Sequence, residues 1–89
     1  MTILQTNAFS KIAKKLKSNQ KADLDAAIRA LVSTPDLGDQ KKGDLSGIRV
    51  YKFHMVKQLA LLAYSYDETK SSLTLLALGP HENYYRDIK

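Results

Sequence analysis

The sequence predicts an α+β domain, in which an antiparallel sheet carries a helical hairpin on one face and a short C-terminal tail follows. Two observations predict this fold class. Apolar residues recur at helical spacing over residues 7–34, whereas residues 48–78 contain three apolar or alternating runs separated by polar turns. Neither helix can bury its apolar stripe alone, so the sheet must cover both. The predicted order is β-α-α-β-β-β, in one domain spanning residues 1–89.

Two helices account for the helical pattern. Thr6 or Asn7 can cap the first, and Ser18 with Asn19 interrupts the spacing and offers a second cap. Pro35 ends the second helix, and the short link between the two makes them antiparallel. Their apolar stripes are Phe9, Ile12, Ala13 and Leu16 in the first helix, and Leu24, Ala27, Ile28 and Leu31 in the second.

The strands differ in how many faces are apolar. The strand at residues 59–66 is apolar on both faces, which is typical of a central strand. The last strand is expected to end at Leu78, because Pro80 lacks an amide donor. A polar connection at residues 34–47 leads from the helices to the meander. The predicted strands are residues 2–5, 48–54, 59–66 and 72–78, with turns at residues 55–58 and 67–70.

Composition narrows the classes of function. The formal net charge is +5, which favours an acidic partner such as nucleic acid. The absence of cysteine excludes disulfides and thiolate-bound zinc. Residues 1–7 lack the basic start and apolar core of a signal peptide, and no apolar run is long enough to span a bilayer. We therefore expect a cytosolic protein without a membrane partner.

Ionisable side chains on the strand at residues 48–54 predict a functional surface. Side chains alternate between faces along a strand, so Val50, Lys52 and His54 share one face, and Arg49, Tyr51 and Phe53 share the other. If the helices cover the aromatic pair, Lys52 and His54 lie on the open face. We expect Arg49, near the start of this strand, to reach around its edge towards them.

The tail adds a second set of such groups. His81 and Tyr85 are four residues apart, about one helical turn, and Arg86 follows. If the tail curls over the open face, the result is a shallow basic surface with two histidines and a tyrosine. Any chemistry at this surface depends on that position of the tail.

Such a surface suits cleavage of RNA, whose 2′-hydroxyl is the nucleophile. The enzyme must align it, remove its proton, stabilise the phosphorane and protonate the leaving 5′-oxygen. Histidine exchanges protons near neutral pH, and arginine or lysine neutralises the phosphorane. No metal or cofactor is required, and the chain contains no acidic or histidine cluster with metal-ligand spacing.

The residues also resemble a known family. Residues 45–49 (LSGIR) entering a strand, a three-strand meander and the pattern Gly79-x-His81-x-x-x-Tyr85-Arg86 resemble the RelE/ParE superfamily of bacterial type II toxins. The resemblance implies cleavage of mRNA in the ribosomal A site and a cognate antitoxin encoded beside the toxin. The functional residues it implies are Arg49, either Lys52 or His54, His81 and Tyr85. The expected contacts to mRNA and ribosomal RNA are Lys41, Lys42, Lys57 and Arg86.

Other interpretations remain open at this point. The ParE branch of the superfamily poisons DNA gyrase without nuclease activity, and a third possibility is a basic domain whose activity has decayed. His54 can be a polar residue at a hairpin end, and Arg49 can form a surface ion pair with Asp44 or Glu82. The free chain is expected to be a monomer. The lysines of the first helix, Lys11, Lys14, Lys15 and Lys17, are either a solvated face or contacts to RNA phosphates or an acidic antitoxin segment.

Overall fold

The structure, a computed structural model, describes residues 1–40 and 47–80. Two helices and five strands occur in these ranges, and the strands form one sheet in the order β1-β5-β4-β3-β2. The predicted α+β class is confirmed. The elements are β1 (Thr2–Gln5), α1 (Asn7–Lys14), α2 (Ser18–Ser33), β2 (Asp39–Gln40), β3 (Arg49–Met55), β4 (Gln58–Asp67) and β5 (Ser72–Pro80).

The sheet differs from the expectation at both edges, by a parallel pairing at one and an additional strand at the other. β1 pairs with β5 in parallel, and the helical hairpin carries the chain from this edge towards the opposite edge, where β2 lies. β2 lies in the segment predicted as a plain connection, where Asp39 and Gln40 pair with Val50 and Arg49. Two residues carry too little periodicity for the sequence to reveal a strand.

The helices begin where local side-chain hydrogen bonds allow. The hydroxyl of Thr6 accepts the amide of Phe9 at 3.1 Å, which confirms it as the cap of α1. The same hydroxyl donates to the carbonyl of Leu76 at 2.8 Å and so ties the start of α1 to β5. α2 begins at Ser18 rather than after it, because the Gln20 side chain accepts the Lys17 amide at 2.8 Å.

The helices cover one face of the sheet, as predicted. α1 lies against β5 and α2 against β3. Tyr51 and Phe53 pack on this side, with ring centroids 6.0 Å apart. The buried residues of this core are Phe9, Leu24, Leu31, Ala60, Leu62, Tyr64, Leu73, Leu75 and Leu78.

β4 is the central strand that its composition predicts, since it lies between β3 and β5. β5, however, continues past the predicted end at Leu78: Gly79 pairs with Leu61 and Pro80 with Ala60. β1 pairs with β5 only as far as Leu75, so the missing amide of Pro80 costs no bond to that strand. Neither of the helices within residues 1–40 and 47–80 is both long and apolar enough to cross a membrane.

Candidate functional site

Lys52 and His54 lie side by side on the sheet face opposite the helices. Both are exposed, and two strand positions separate them by about 7 Å. In the β3–β4 pairing, Lys52 lies opposite Leu61 and His54 opposite Leu59. The register therefore confirms that these two side chains share the open face, whereas Tyr51 and Phe53 join the helix-side core.

The surroundings of this pair are apolar. Val50, Leu61 and Ala63 form a second buried cluster on the same face, with Leu76 and Ala77 packed against it. Leu61 is fully buried, although the described helices lie on the other side of the sheet. The two ionisable groups thus lie beside an apolar cluster whose own buried members are closed to solvent.

The end of β5 lies close to this pair. Pro80 pairs with Ala60, and Ala60 pairs in turn with Phe53. Because neighbouring strands are about 4.8 Å apart, Pro80 lies roughly 10 Å from β3, at the level of Phe53, the residue before His54. The next residue in the sequence is His81. The predicted site residues Lys41, Lys42, His81, Tyr85 and Arg86 lie outside the described residues.

Arg49 is placed differently from the expectation. It lies opposite Tyr64 on β4 and therefore on the helix side of the sheet. Its guanidinium donates to the carbonyl of Gly38 at 2.8 Å and to that of Asp36 at 3.3 Å. Its face is the one that strand alternation predicts, but the side chain does not reach around the edge to Lys52 and His54, because these two carbonyls hold its guanidinium. Its contacts fix the backbone that leads into β2.

Tyr64 also holds this backbone, a role that was not predicted from the sequence. Its hydroxyl donates to the carbonyl of Pro35 at 2.6 Å and accepts the amide of Gly38 at 2.9 Å. Burial raises the pKa of the phenol, while the Gly38 hydrogen bond and the charge of Arg49 act in the opposite direction. A tyrosine in a largely apolar central strand could have indicated this role, because a buried phenol usually needs hydrogen-bond partners.

A recess of about 510 Å³ adjoins Arg49. Asp36 and Glu68 line it together with Arg49 and Tyr66, so its charge is mixed. It lies at the other end of β3 and β4 from His54. It therefore does not extend the Lys52–His54 surface.

Lys57 lies at the tip of the β3–β4 hairpin and is exposed. The tip contains only Val56 and Lys57, since Met55 already pairs with Gln58. Val56 has a φ of +63°, which is unfavourable for a β-branched residue. Its amide donates to the carboxylate of Asp23 at 2.6 Å, which anchors the hairpin tip to α2. Within the described ranges, no group of three or more potential metal ligands occurs.

Solved structures with similar folds include bacterial toxins and toxin–antitoxin complexes. A RelBE toxin–antitoxin complex from Mycobacterium tuberculosis matches with a TM-score of 0.75 and 18% identity, covering 90% of this chain and 96% of that chain. The intact Escherichia coli RelBE complex matches at 0.73 and 15% identity, over 89% and 94%. A YoeB/ParE toxin from Agrobacterium tumefaciens matches at 0.69 and 17% identity, over 91% and 99%. Identities this low show a shared fold.

Sequence comparison supplies the family. A search of curated proteins found no match. A family model, by contrast, covers almost the whole chain: residues 3–89 match the ParE-like toxin of type II bacterial toxin–antitoxin systems. The resemblance seen in the LSGIR segment and the tail pattern is thereby confirmed. The chain belongs to this family and is a type II toxin of the RelE/ParE superfamily.

Proposed function

We propose that this toxin is a metal-independent endoribonuclease that cleaves mRNA in the ribosomal A site and so inhibits translation. One observation carries the proposal: Lys52 and His54 are exposed together on the uncovered face of the sheet, at the end where β5 leads to His81. In the cytosol, the free toxin acts as a monomer and a cognate antitoxin restrains it. Two of the similar structures, from Escherichia coli and Mycobacterium tuberculosis, are toxin–antitoxin complexes, which supports such a partner.

The chemistry assigns a role to each group. The 2′-oxygen attacks phosphorus, the bond from phosphorus to the 5′-oxygen breaks, and a 2′,3′-cyclic phosphate forms. His54 and His81 remove the proton from the 2′-hydroxyl and supply one to the 5′-oxygen. Lys52 stabilises the phosphorane charge, and Tyr85 positions a base or phosphate. Arg49 acts on the protein backbone instead, because its guanidinium already binds two carbonyls.

Primer extension on mRNA after induced expression tests the proposal. We expect cuts at codon positions that appear only with translating ribosomes. Lys52→Gln and His54→Gln should reduce cutting strongly, and His81→Ala and Tyr85→Phe should relieve growth arrest while the antitoxin still binds. Lys70→Gln is the matched control, since Lys70 is an exposed cation beyond the far end of β4. Full toxicity in both His81→Ala and Tyr85→Phe would defeat the site assignment.

A second candidate function is inhibition of DNA gyrase without nuclease activity. Two observations favour it: the matching family is described as ParE-like, and β4 contributes only apolar side chains beside Lys52 and His54. This alternative predicts DNA damage with intact mRNA in the same expression experiment. Unchanged toxicity of Lys52→Gln and His54→Gln, combined with DNA damage, would select it over the nuclease.

A further inference from the structure

The helical hairpin carries a strongly basic surface away from the Lys52–His54 face. The four lysines between positions 11 and 17 are all exposed, and the sequence contains no acidic residue before Asp23. No helical neighbour three or four positions away can therefore neutralise any of them. Together they form the α1 lysine surface: Lys11, Lys14, Lys15 and Lys17.

This surface continues onto the β3–β4 hairpin. A recess of about 320 Å³ lies between the start of α2 and the hairpin tip, with Lys17 on one side and Lys57 on the other. Asn19, Gln20 and Gln58 add side-chain amides to its lining. The carboxylate of Asp23 accepts the amide of Val56, which lines the recess. The recess therefore offers mostly hydrogen-bond donors and positive charge.

The composition of this surface distinguishes among acidic partners. Protein interfaces are depleted in lysine and enriched in aromatic residues and arginine. Here every cation is a lysine, which binds phosphate as a flexible point charge. A nucleic-acid backbone therefore fits better than an acidic protein segment.

We propose that the α1 lysine surface, together with the recess between Lys17 and Lys57, binds the phosphate backbone of RNA. This assignment rests on the proposed ribosomal target, but it concerns binding and not cleavage. The hairpin connects the two surfaces, since Lys57 is three residues from His54. RNA bound at the recess would thus lie next to the edge of the Lys52–His54 face. Contacts between the lysines and phosphates supply affinity but do not distinguish base sequences.

The test uses the full chain and two matched double variants that each lower the net charge by two. Lys14→Gln with Lys17→Gln alters the surface, and Arg29→Gln with Lys70→Gln removes two exposed cations elsewhere. Binding of a fluorescent structured RNA is measured by anisotropy between about 50 and 200 mM salt. We expect the first variant to bind more weakly, with a log–log salt slope shallower by about 1.5 if both lysines contact phosphates.

The control variant should keep nearly the wild-type slope. Equal slopes for both double variants would overturn the proposal. Lys11→Gln with Lys15→Gln is a second surface variant that leaves the residues at the start of α2 unchanged, so a folding defect in the first cannot decide the result. Circular dichroism and urea unfolding establish that each variant is folded.

Two further probes separate the alternatives. Equal weakening for a polyglutamate peptide would assign the surface to acidic protein segments, and tighter lysine-dependent binding of duplex DNA would assign it to DNA; either result overturns the RNA assignment. A chain that leaves mRNA intact but shows the expected slope difference refutes the nuclease and keeps this surface. Cleavage of mRNA combined with identical binding by both double variants supports the nuclease and refutes this surface.

Discussion

The hydroxyl of Tyr64, in the central strand, accepts a hydrogen bond of 2.9 Å from the amide of Gly38, which lies just before β2. The same hydroxyl donates to Pro35, so one buried side chain fixes both ends of a four-residue segment. Arg49 binds the carbonyl of this same Gly38. These contacts hold the connection between the helices and the edge of the sheet, and they explain why a polar segment lies in an ordered position there.

Removing the Tyr64 hydroxyl should destabilise the fold. Tyr64→Phe leaves the buried Gly38 amide and the Pro35 carbonyl without their described partner, at a cost of about 1–3 kcal/mol. Urea unfolding measures the change. Tyr66→Phe is the control, because the phenol of Tyr66 makes none of the hydrogen bonds recorded among the described residues. Equal stability of Tyr64→Phe and wild type would contradict the structural role.

Gly38→Ala should also destabilise, for a steric reason. An added Cβ would lie 2.8 Å from Cε1 and 2.9 Å from the hydroxyl oxygen of Tyr64, and 3.0 Å from the backbone carbon of Val50. Overpacking of this kind costs about 1–3 kcal/mol. In a double-mutant cycle with Tyr64→Leu, we expect the combined loss of unfolding free energy to be smaller than the sum. Strict additivity would show that the two residues do not collide.

Stability should fall at high pH through Tyr64. Its folded-state pKa is raised by burial, so above about pH 10 the unfolded chain loses this proton before the folded chain does. The stabilisation is complete below the unfolded pKa and is lost as pH rises towards the folded pKa, by up to about 1.4 kcal/mol per pH unit. This loss of stability is measured from unfolding free energies at pH 9–11, a range around the usual pKa of a phenol. Tyr64→Phe should lack this part of the slope, and an identical slope would refute it.

Replacing Val56, whose backbone is in the left-handed region, should stabilise the fold. Relief of its +63° φ by Val56→Gly recovers about 1–2 kcal/mol, less the roughly 0.5–1 kcal/mol of extra chain entropy that glycine loses on folding. We therefore expect a small net stabilisation in thermal or urea unfolding. Val56→Ala serves as control, because alanine keeps the strained conformation. A less stable glycine variant would show that the valine side chain contributes more than the strain costs.

Asp23→Ala should destabilise by about 1 kcal/mol, since it removes the acceptor of the Val56 amide at a partly exposed site. Asp25→Ala, an exposed acid on the same helix, is the matched control. Hydrogen exchange of the Val56 amide gives a local readout: faster exchange is expected only in the Asp23 variant. Unchanged exchange in both variants would remove Asp23 from the anchoring of the hairpin.

Much of the candidate site followed from alternation along one strand. The sequence predicted that Lys52 and His54 share a face opposite Tyr51 and Phe53, and the structure confirms it because the helices bury the aromatic pair. Arg49 illustrates the limit of this reasoning. A long side chain near a strand end has several reachable partners, and only the position of the Asp36–Gly38 backbone decides among them.

The strand boundaries also depend partly on the sequence and partly on the tertiary structure. Sequence located the hairpin turn at residues 55–58, but only the pairing of Met55 with Gln58 establishes the register that places Lys52 opposite Leu61. Pro80 was expected to lie beyond the strand, yet β5 includes it, since β1 pairs with β5 no further than Leu75. A missing amide matters only where a neighbouring strand would have used it.

By itself the sequence determined the helices, the central strand and the face assignment of Lys52 and His54, because 3.6- and two-residue periodicities are local properties of the chain. Tertiary structure alone decided the parallel pairing of β1 with β5, the two-residue β2 and the use of Tyr64 and Arg49 to fix the backbone of residues 35–38. Those features join segments far apart in the chain, and their partners are selected only when the sheet and helices have packed together.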